Sequence, residues 1–334
     1  MDPASLTKGG RRPVEPSIVP AAFTDRHGSA HPLDPELRTR LKPGWRTMLD
    51  PAALARVPDE AAMRRRAAGS TKVVATMQAV VESTTGRLPR GRIVEIGCYD
   101  GSATFELARV PGNVVVGTDL ARYYVVQSPG QPAETAIADR QAWLHELRER
   151  ARSVAEFPPD AVTFLEDDVT ASALAPNSCD CIVSFEVLEH VTDPAGALAA
   201  MTRLLRPGGL MYHDYNPFFS AIGGHSLCTL DFDWGHARLD DADFERYVRE
   251  IRPDEADQAL RFYRQSLNRM TLRDVREHVA AAGLELLALV PWNERSRAER
   301  LTPEILREVR AVYPGVELED LTGTFVTLVA RRPA

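Results

Sequence analysis

The sequence predicts an α/β fold in which buried parallel strands alternate with helices. The first observation is the stretch 93–104 (IVEIGCYDGSAT), where an apolar run stops at Gly97 and a helical segment begins at Gly101. The second is a series of similar apolar runs, at 113–118, 161–165 and 210–213, with another beginning at 179. The third is the amphipathic spacing between them, as in 132–157 and 195–205. Alternating strand and helix patterns indicate βαβ units and therefore a parallel sheet.

The turn at Gly97 is the predicted site of a polar cofactor. A strand that ends at a glycine turn and continues as a helix leaves free backbone N–H groups at the carboxyl end of the sheet. Gly97 and Gly101 are separated by Cys98, Tyr99 and one further residue, so the G-x-G-x-x-G spacing of dinucleotide sites is absent. Glu95 precedes the turn, where a carboxylate would repel a pyrophosphate but suits a cation.

A carboxylate also ends the second predicted strand. Asp119 follows the glycine turn by roughly 20 residues, and Leu120 comes next. An acidic side chain at this strand tip can accept both ribose hydroxyls of an adenosine cofactor, with the leucine against the adenine ring. The pattern therefore indicates a nucleoside cofactor, and it suits a methyl donor as well as NAD.

Three motifs resemble those of the class I S-adenosylmethionine-dependent methyltransferases. Residues 94–101 are similar to motif I, hydrophobic-(D/E)-hydrophobic-G-x-G-x-G, with Tyr99 in place of the middle glycine. Residues 180–194 resemble the post-II motif of small-molecule members, D-x-I-V-x-x-x-V-L-E-H-x-x-D-P. Residues 205–209 resemble motif III, L-x-P-G-G. The three motifs occur in family order and at family spacing.

The resemblance implies a Rossmann-like seven-stranded sheet of order 3-2-1-4-5-7-6. Its seventh strand is antiparallel, and the last apolar segment of the chain suits that strand. Residues 1–69 are then expected to form an N-terminal arm and helical lid. Helices are predicted at 51–66 and 71–84, separated by Gly69. Residues 70–334 are expected to form the methyltransferase domain.

The same resemblance implies S-adenosylmethionine as the cofactor. Glu95 would anchor its charged methionine end. Asp168 would accept a hydrogen bond from the adenine amino group beside the Val169 N–H, and Asp167 is the competing assignment for that carboxylate. The residues implied to bind the cofactor are Glu95, Gly97, Cys98, Tyr99, Gly101, Asp119, Leu120, Asp168, Val169, Phe185 and Glu186.

Residues 214–265 do not fit the core fold and are predicted to be a substrate-side insertion, since they follow the fifth strand at its carboxyl end. We expect methyl transfer to a small-molecule hydroxyl in bacterial secondary metabolism, for which a base must remove a proton. The candidate bases are His225, His236 and His213, and a glycine precedes each of the first two. His190 is a weaker candidate, because in the resembled family this histidine is more often structural. No ligand spacing favours a metal, so none is predicted.

The amino-acid composition limits the classes of molecule that the protein is expected to bind. The formal net charge of −7 lacks the basic footprint of a nucleic-acid-binding protein. We expect a small-molecule substrate, and a protein acceptor also remains open. The four cysteines form no C-x-x-C pair, and no leader or membrane-length apolar run occurs, so we expect reduced thiols in a cytoplasmic protein away from the membrane. A homodimer is left open. Two other functions also remain open, an NAD(P)-dependent oxidoreductase and a non-catalytic methyltransferase-like scaffold.

Overall fold

The computed structural model describes residues 20–127, 134–158 and 162–334. Two short strands near the start of this part of the chain pair as an antiparallel hairpin, and seven longer ones form a single sheet. The strands are β1 (Ala22–Thr24), β2 (Ala30–Pro32), β3 (Arg92–Ile96), β4 (Val114–Asp119), β5 (Val162–Glu166), β6 (Cys179–Phe185), β7 (Leu205–Tyr215), β8 (Glu285–Asn293) and β9 (Gly323–Arg331).

The seven-stranded sheet has the order β5-β4-β3-β6-β7-β9-β8. Strand β9 runs antiparallel to both β7 and β8, whereas the pairs between β5 and β7 are parallel. With β3 to β9 as strands 1 to 7, this is the order 3-2-1-4-5-7-6, so the predicted topology is confirmed.

Both faces of the central strands are buried, which explains their nearly continuous apolar sequences. Along β3, Val94 and Ile96 pack into one core with β6, β7 and two later helices, while Ile93 packs into a second core on the opposite face. The chain leaves β3 for β4 on one side and later pairs β6 on the other. The carboxyl ends of β3, β4 and β6 therefore meet at a topological switch point, where open α/β sheets bind ligands.

Fifteen helices are present in the described residues. They are α1 (Leu37–Leu41), α2 (Pro51–Ala55), α3 (Glu60–Thr85), α4 (Ser102–Ala108), α5 (Ala121–Gln127), α6 (Glu134–Ala155), α7 (Pro194–Leu204), α8 (His225–Cys228), α9 (Gly235–Arg238), α10 (Asp241–Ile251), α11 (Ala256–Gln265), α12 (Leu272–Ala281), α13 (Arg295–Ala298), α14 (Pro303–Val312) and α15 (Leu318–Thr322). Short 3-10 helices occur at Trp45–Leu49, Val169–Ala171, Leu188–His190 and Pro253–Glu255. None of the helices described in 20–127, 134–158 and 162–334 is long and apolar enough to cross a membrane.

Helix α3 corrects the predicted break at Gly69. It runs without interruption from Glu60, capped by the Asp59 side chain, to Gly86, which ends it in a left-handed conformation. A glycine inside a helix costs about 1 kcal/mol relative to alanine, and burial of Met77 and neighbouring apolar residues on one face of α3 outweighs that cost. For the predicted helix at 132–157, residues 132 and 133 lie outside the described residues, as does residue 161 of the third strand.

The chain between β7 and α12 builds its own apolar core. Helices α8 to α11 contribute Phe244 and Tyr263, whose rings stack with centroids 3.8 Å apart. Phe23 of β1 and Val309 of α14 join the same cluster. The described part of the N-terminal arm is thus packed on the insertion by apolar contacts.

Candidate active site

A cavity of about 990 Å³ opens at the carboxyl ends of β3, β4 and β6. Its wall includes the glycine turn after β3, the N-terminal segment around Met48, helix α6, and the residues after α11. The predicted cofactor residues that line it are Gly97, Tyr99, Asp119, Leu120, Asp168, Val169, Phe185 and Glu186. The tertiary structure therefore brings most of the predicted set to one cavity, and Glu95, Cys98 and Gly101 lie behind that wall.

The turn after β3 has a backbone that favours glycine. Gly97 has φ 70°, and a Cβ there would lie 2.4 Å from Val187 Cγ2. Gly101 has φ 75°, and its Cβ would lie 2.5 Å from Phe164 Cζ. Tyr99, which replaces the middle glycine of motif I, also adopts a left-handed conformation with φ 45°. Tyr99 therefore adopts a backbone conformation that normally favours glycine, and this strain costs about 1 to 3 kcal/mol of stability.

Asp119 receives hydrogen bonds from the residues around it. Its carboxylate accepts from the backbone N–H of Tyr99 at 2.6 Å and of Leu120 at 2.7 Å, and from the Tyr124 hydroxyl at 2.9 Å. Arg148 lies 3.5 Å away. Burial raises the pKa of Asp119, and the guanidinium of Arg148 opposes that rise. The carboxylate of Asp119 thus stabilises the glycine turn. The Tyr124 hydroxyl already donates to this carboxylate, at a position where a ribose hydroxyl would have to donate.

Glu95 lies beneath the turn. Its Oε2 accepts a hydrogen bond from Thr104 Oγ1 at 2.5 Å, and its side chain is buried. Burial raises the pKa of Glu95 to about 8. The assignment of Glu95 as anchor of the methionine end stays a prediction. Cys98, also buried, packs against Gly117.

The two candidate carboxylates after β5 differ in how they are used. Asp168 Oδ1 caps the following 3-10 helix by accepting from the N–H and hydroxyl of Thr170, at 2.9 and 2.7 Å. Asp167 Oδ1 accepts from Ala173 N at 2.8 Å. Both residues line the cavity. Each keeps one carboxylate oxygen with no hydrogen bond to the described residues, which leaves both able to contact a ligand.

Substitution separates these two assignments. If Asp168 accepts from the adenine amino group, Asp168→Asn is expected to weaken S-adenosylhomocysteine binding about 10-fold, because a charge-assisted hydrogen bond is lost. Asp167→Asn, the matched control, should change binding less than about 2-fold. Isothermal titration calorimetry on both variants measures this, and a larger loss in the Asp167 variant would reverse the assignment.

The three predicted catalytic histidines do not line the cavity. His213 is buried within β7, where Nδ1 is 2.8 Å from Ser184 Oγ, and burial lowers its pKa to about 3. His236 donates from Nε2 to the carbonyl of Phe218 at 2.8 Å inside the insertion core, and burial lowers its pKa to about 4. Both side chains are buried and hydrogen-bonded to other protein groups. Their assignment as bases has no support from their positions.

Among the histidines of the described residues, His190 lines the cavity. Its Nδ1 donates to the carbonyl of Ser266 at 2.6 Å, so in the neutral ring Nε2 carries a lone pair. That nitrogen is 3.9 Å from Glu189 Oε1, and the ring of His225 lies 4.8 Å away, centroid to centroid. Burial lowers the pKa of His190 to about 4 and raises the pKa of Glu189 to about 8.

Glu189, His190 and His225 form one polar cluster, in which one ligand-type atom from each lies within 4.8 Å of the others. These distances would also suit a divalent cation. Burial lowers the pKa of Lys42 to about 8, and the carboxylates of Glu186 and Glu189 oppose that effect. The cluster therefore places a carboxyl group and two imidazoles together at the cavity wall, which His190 lines.

Several residues of the cavity wall escaped sequence analysis. Arg140 and Trp143 reach it from α6, where the guanidinium lies 4.5 Å from the indole centroid, and Tyr123 reaches it from α5. Thr47 and Met48 reach it from the N-terminal segment. Helix packing, rather than the position of a strand end, brings each of these residues to the cavity. No sequence motif therefore marks them.

Comparison with known proteins identifies the family. A model of the family described as a methyltransferase domain matches residues 63–289, more than half of the chain. The chain belongs to this family. The topology is that of the class I S-adenosylmethionine-dependent members, and S-adenosylmethionine is the cofactor. The match favours a methyltransferase over the NAD(P)-dependent alternative.

This methyltransferase is similar to ubiquinone biosynthesis O-methyltransferases. It is 33% identical to the Ralstonia nicotianae protein over 150 residues, which cover 44% of this chain and 50% of the relative. It is 28% identical to the Burkholderia thailandensis protein over 205 residues, covering 60% of this chain and 68% of the relative. The methyltransferase thus spans only about half the length of the first of these relatives.

Solved structures with a similar fold are more distant. An S-adenosylmethionine-dependent methyltransferase from Mesorhizobium loti is 17% identical, with a TM-score of 0.43 over 76% of this chain and 96% of that one. Haemonchus contortus phosphoethanolamine N-methyltransferase 2, in complex with S-adenosyl-L-methionine, is 16% identical. Its TM-score is 0.43, over 78% of this chain and 53% of that one.

The cavity of this methyltransferase fits its cofactor. A volume of about 990 Å³ lies at the upper end of ordinary ligand pockets and leaves room for a second small molecule. A Cβ at Gly97 would lie 2.4 Å from Val187 Cγ2, so a larger residue would displace either the turn or Val187, and both line the cavity. Asp119 and Asp168 both line this cavity, and their contacts with ribose and adenine stay predictions.

Proposed function

We propose that this chain transfers a methyl group from S-adenosylmethionine to a hydroxyl oxygen of a small molecule. The observation that carries the proposal is a single cavity whose lining includes Asp119, Asp168 and His190. A nucleoside and a proton acceptor can thus face the same space. The similarity to O-methyltransferases supports oxygen as the accepting atom. Secondary metabolism, a cytoplasmic location and a homodimer stay predictions.

Different residues would bind the cofactor and orient the acceptor. Asp119, Asp168 and the backbone around Gly97 would hold S-adenosylmethionine, which supplies an electrophilic methyl group when bound. Phe185 and Glu186 also line this cavity. The surrounding residues orient the two reactants and exclude water, which is the main requirement of a direct displacement.

His190 is the proposed proton acceptor. Its Nε2 has a lone pair because the Ser266 carbonyl holds the proton on Nδ1. Alone, a histidine whose pKa is lowered to about 4 is a weak base. Ionised Glu189, 3.9 Å away, would stabilise the imidazolium as the acceptor hydroxyl loses its proton. The two groups therefore act as a pair.

This pairing predicts the pH dependence of the reaction. Because Glu189 must be ionised and burial raises its pKa to about 8, methyl transfer should increase as the pH rises from 7 to about 9. Glu189→Gln should lose about 10-fold or more in kcat near pH 8.5 and give a flat profile. Rates of S-adenosylhomocysteine release across this range measure both. A rate that falls over the same interval would exclude Glu189 as the titrating group.

Calorimetry and product analysis test the proposed function. Titration with S-adenosylmethionine and S-adenosylhomocysteine should give micromolar dissociation constants, as is usual for enzyme cofactors. Incubation with phenol, sugar and carboxylate acceptors, followed by mass spectrometry, should detect a product heavier by one methyl group on oxygen. Absence of cofactor binding at sub-millimolar concentration would refute the proposal. Binding without any turnover would favour a non-catalytic scaffold.

A further inference from the structure

Gln258 joins two segments of the cavity wall that are far apart in the chain. It lies in α11 and is 7% exposed. Its Nε2 donates to the carbonyl of Met48 at 2.8 Å and to the carbonyl of Gln127. Met48 belongs to the N-terminal segment and Gln127 ends α5, and both line the cavity. The two carbonyls thus use both N–H groups of the amide, and we call this arrangement the amide clasp.

The amide clasp lies beside the proposed proton acceptor. Tyr123 precedes Gln127 by one turn of α5, and its ring centroid is 4.9 Å from that of His190. Phe262 follows Gln258 by one turn of α11, and its ring centroid is 6.0 Å from that of His190. Residues one turn apart lie on the same face of a helix. The clasp therefore holds α5 and α11 together about one turn from the rings that surround His190.

The other end of α11 holds His190 itself. The carbonyl of Ser266, directly after the helix, accepts from His190 Nδ1 at 2.6 Å. Asn268 Nδ2 donates to the carbonyls of Leu188 and Val191, at 2.6 and 2.9 Å, on either side of His190 in the chain. Because one helix carries both sets of hydrogen bonds, the position of the N-terminal segment is coupled to the position of His190.

We propose that Gln258 is a positioning residue for methyl transfer, because its amide keeps the N-terminal segment and α5 closed around His190. The inference rests on the proposed function. An acceptor hydroxyl must meet the methyl donor and the base in one geometry from which water is excluded. Without the amide donors, the carbonyls of Met48 and Gln127 would lose their partners. Partly buried carbonyls without partners favour an open arrangement in which water hydrates them.

Hydrogen exchange of the full-length chain with saturating S-adenosylhomocysteine tests whether the clasp closes these segments. Gln258→Met keeps a similar shape and removes the donors, so amides in peptides covering 45–55 and 121–127 should exchange about 10-fold faster than in the native chain. Gln258→Lys supplies N–H donors again and should reduce this excess to about 3-fold or less. Gln141→Met, at an exposed position of α6, is the matched control and should leave both peptides at the native rate.

Steady-state kinetics separates positioning from binding. With any acceptor that the native chain methylates, Gln258→Met should lower kcat about 10-fold. The acceptor KM and the dissociation constant of S-adenosylhomocysteine should change less than about 3-fold, because the groups that hold the two reactants remain in place. Gln258→Lys should recover part of the lost kcat, and Gln141→Met should keep the native value.

Native exchange rates or a native kcat in Gln258→Met would overturn the inference. Faster exchange throughout the central sheet would also overturn it, because that result would indicate a general loss of stability. Turnover by the native chain keeps the two proposals separate. If the native chain transfers no methyl group, the proposed function fails and the exchange comparison still tests the clasp. If it does transfer one and Gln258→Met behaves like the native chain, only this inference fails.

Discussion

Replacing Gly97 by alanine is expected to weaken S-adenosylhomocysteine binding about 100-fold or more. Two costs combine at this position. An L-residue at φ 70° is strained by about 1 to 2 kcal/mol, and the new Cβ would lie 2.4 Å from Val187 Cγ2. Relief of that overlap costs about 1 to 3 kcal/mol and moves the turn that faces the ligand. Calorimetric titration gives the affinity.

Gly86→Ala is the matched control for this substitution. Gly86 ends α3 with φ 73°, and a Cβ there meets nothing within 4 Å. Its alanine variant should therefore lose about 1 kcal/mol of stability through the same backbone strain and keep full cofactor affinity. Thermal unfolding of both variants separates stability from binding. Equal affinities for the two alanine variants would contradict the role of the Gly97 turn.

Replacing Asp119 by asparagine is expected to weaken S-adenosylhomocysteine binding about 10- to 100-fold. Both oxygens of Asp119 accept from N–H groups, of Tyr99 on one side and Leu120 on the other. An amide would place its own N–H₂ group against one of these donors, and loss of a charge-assisted hydrogen bond costs about 1.5 to 3 kcal/mol. Both the turn and the proposed ribose contact would be weakened.

Two further variants sharpen this experiment. Asp193 also lines the cavity, and it caps α7 through Gly196 N, a position where asparagine caps equally well. Asp193→Asn should therefore leave affinity within about 2-fold. Tyr124→Phe should increase affinity by about 2- to 5-fold, because the tyrosine hydroxyl no longer competes for the Asp119 carboxylate. A weaker Tyr124→Phe variant would show that this hydroxyl binds the ligand instead.

Residue periodicity and strand-end chemistry were enough to predict the sheet and one wall of the cavity. Strand β3 is apolar on both faces and stops at Gly97, and Asp119 stands at the tip of β4. Adjacent parallel strands bring such tips together whatever the loops between them do. Local sequence is therefore enough to predict that these two strand ends lie close together. The predicted strand order followed from the family resemblance.

The histidines could not be ranked in this way. His213, His225, His236 and His190 all follow or enter the carboxyl side of the sheet in the sequence, and only His190 lines the cavity. The difference depends on how α8 to α11 fold over their own core, which removes His236 from the site. Burial and hydrogen-bond partners are properties of packing, and no spacing in the chain encodes them.

The sequence by itself determined the α/β class, the strand order through its motifs, the glycine turn and the acidic strand tip, because these depend on short-range patterns and on strand ends that must meet. Only the tertiary structure decided that α3 continues through Gly69, that His190 faces the cavity and that His236 packs inside the insertion core. Those outcomes depend on apolar burial and hydrogen bonding between segments far apart in the chain, which local patterns do not encode.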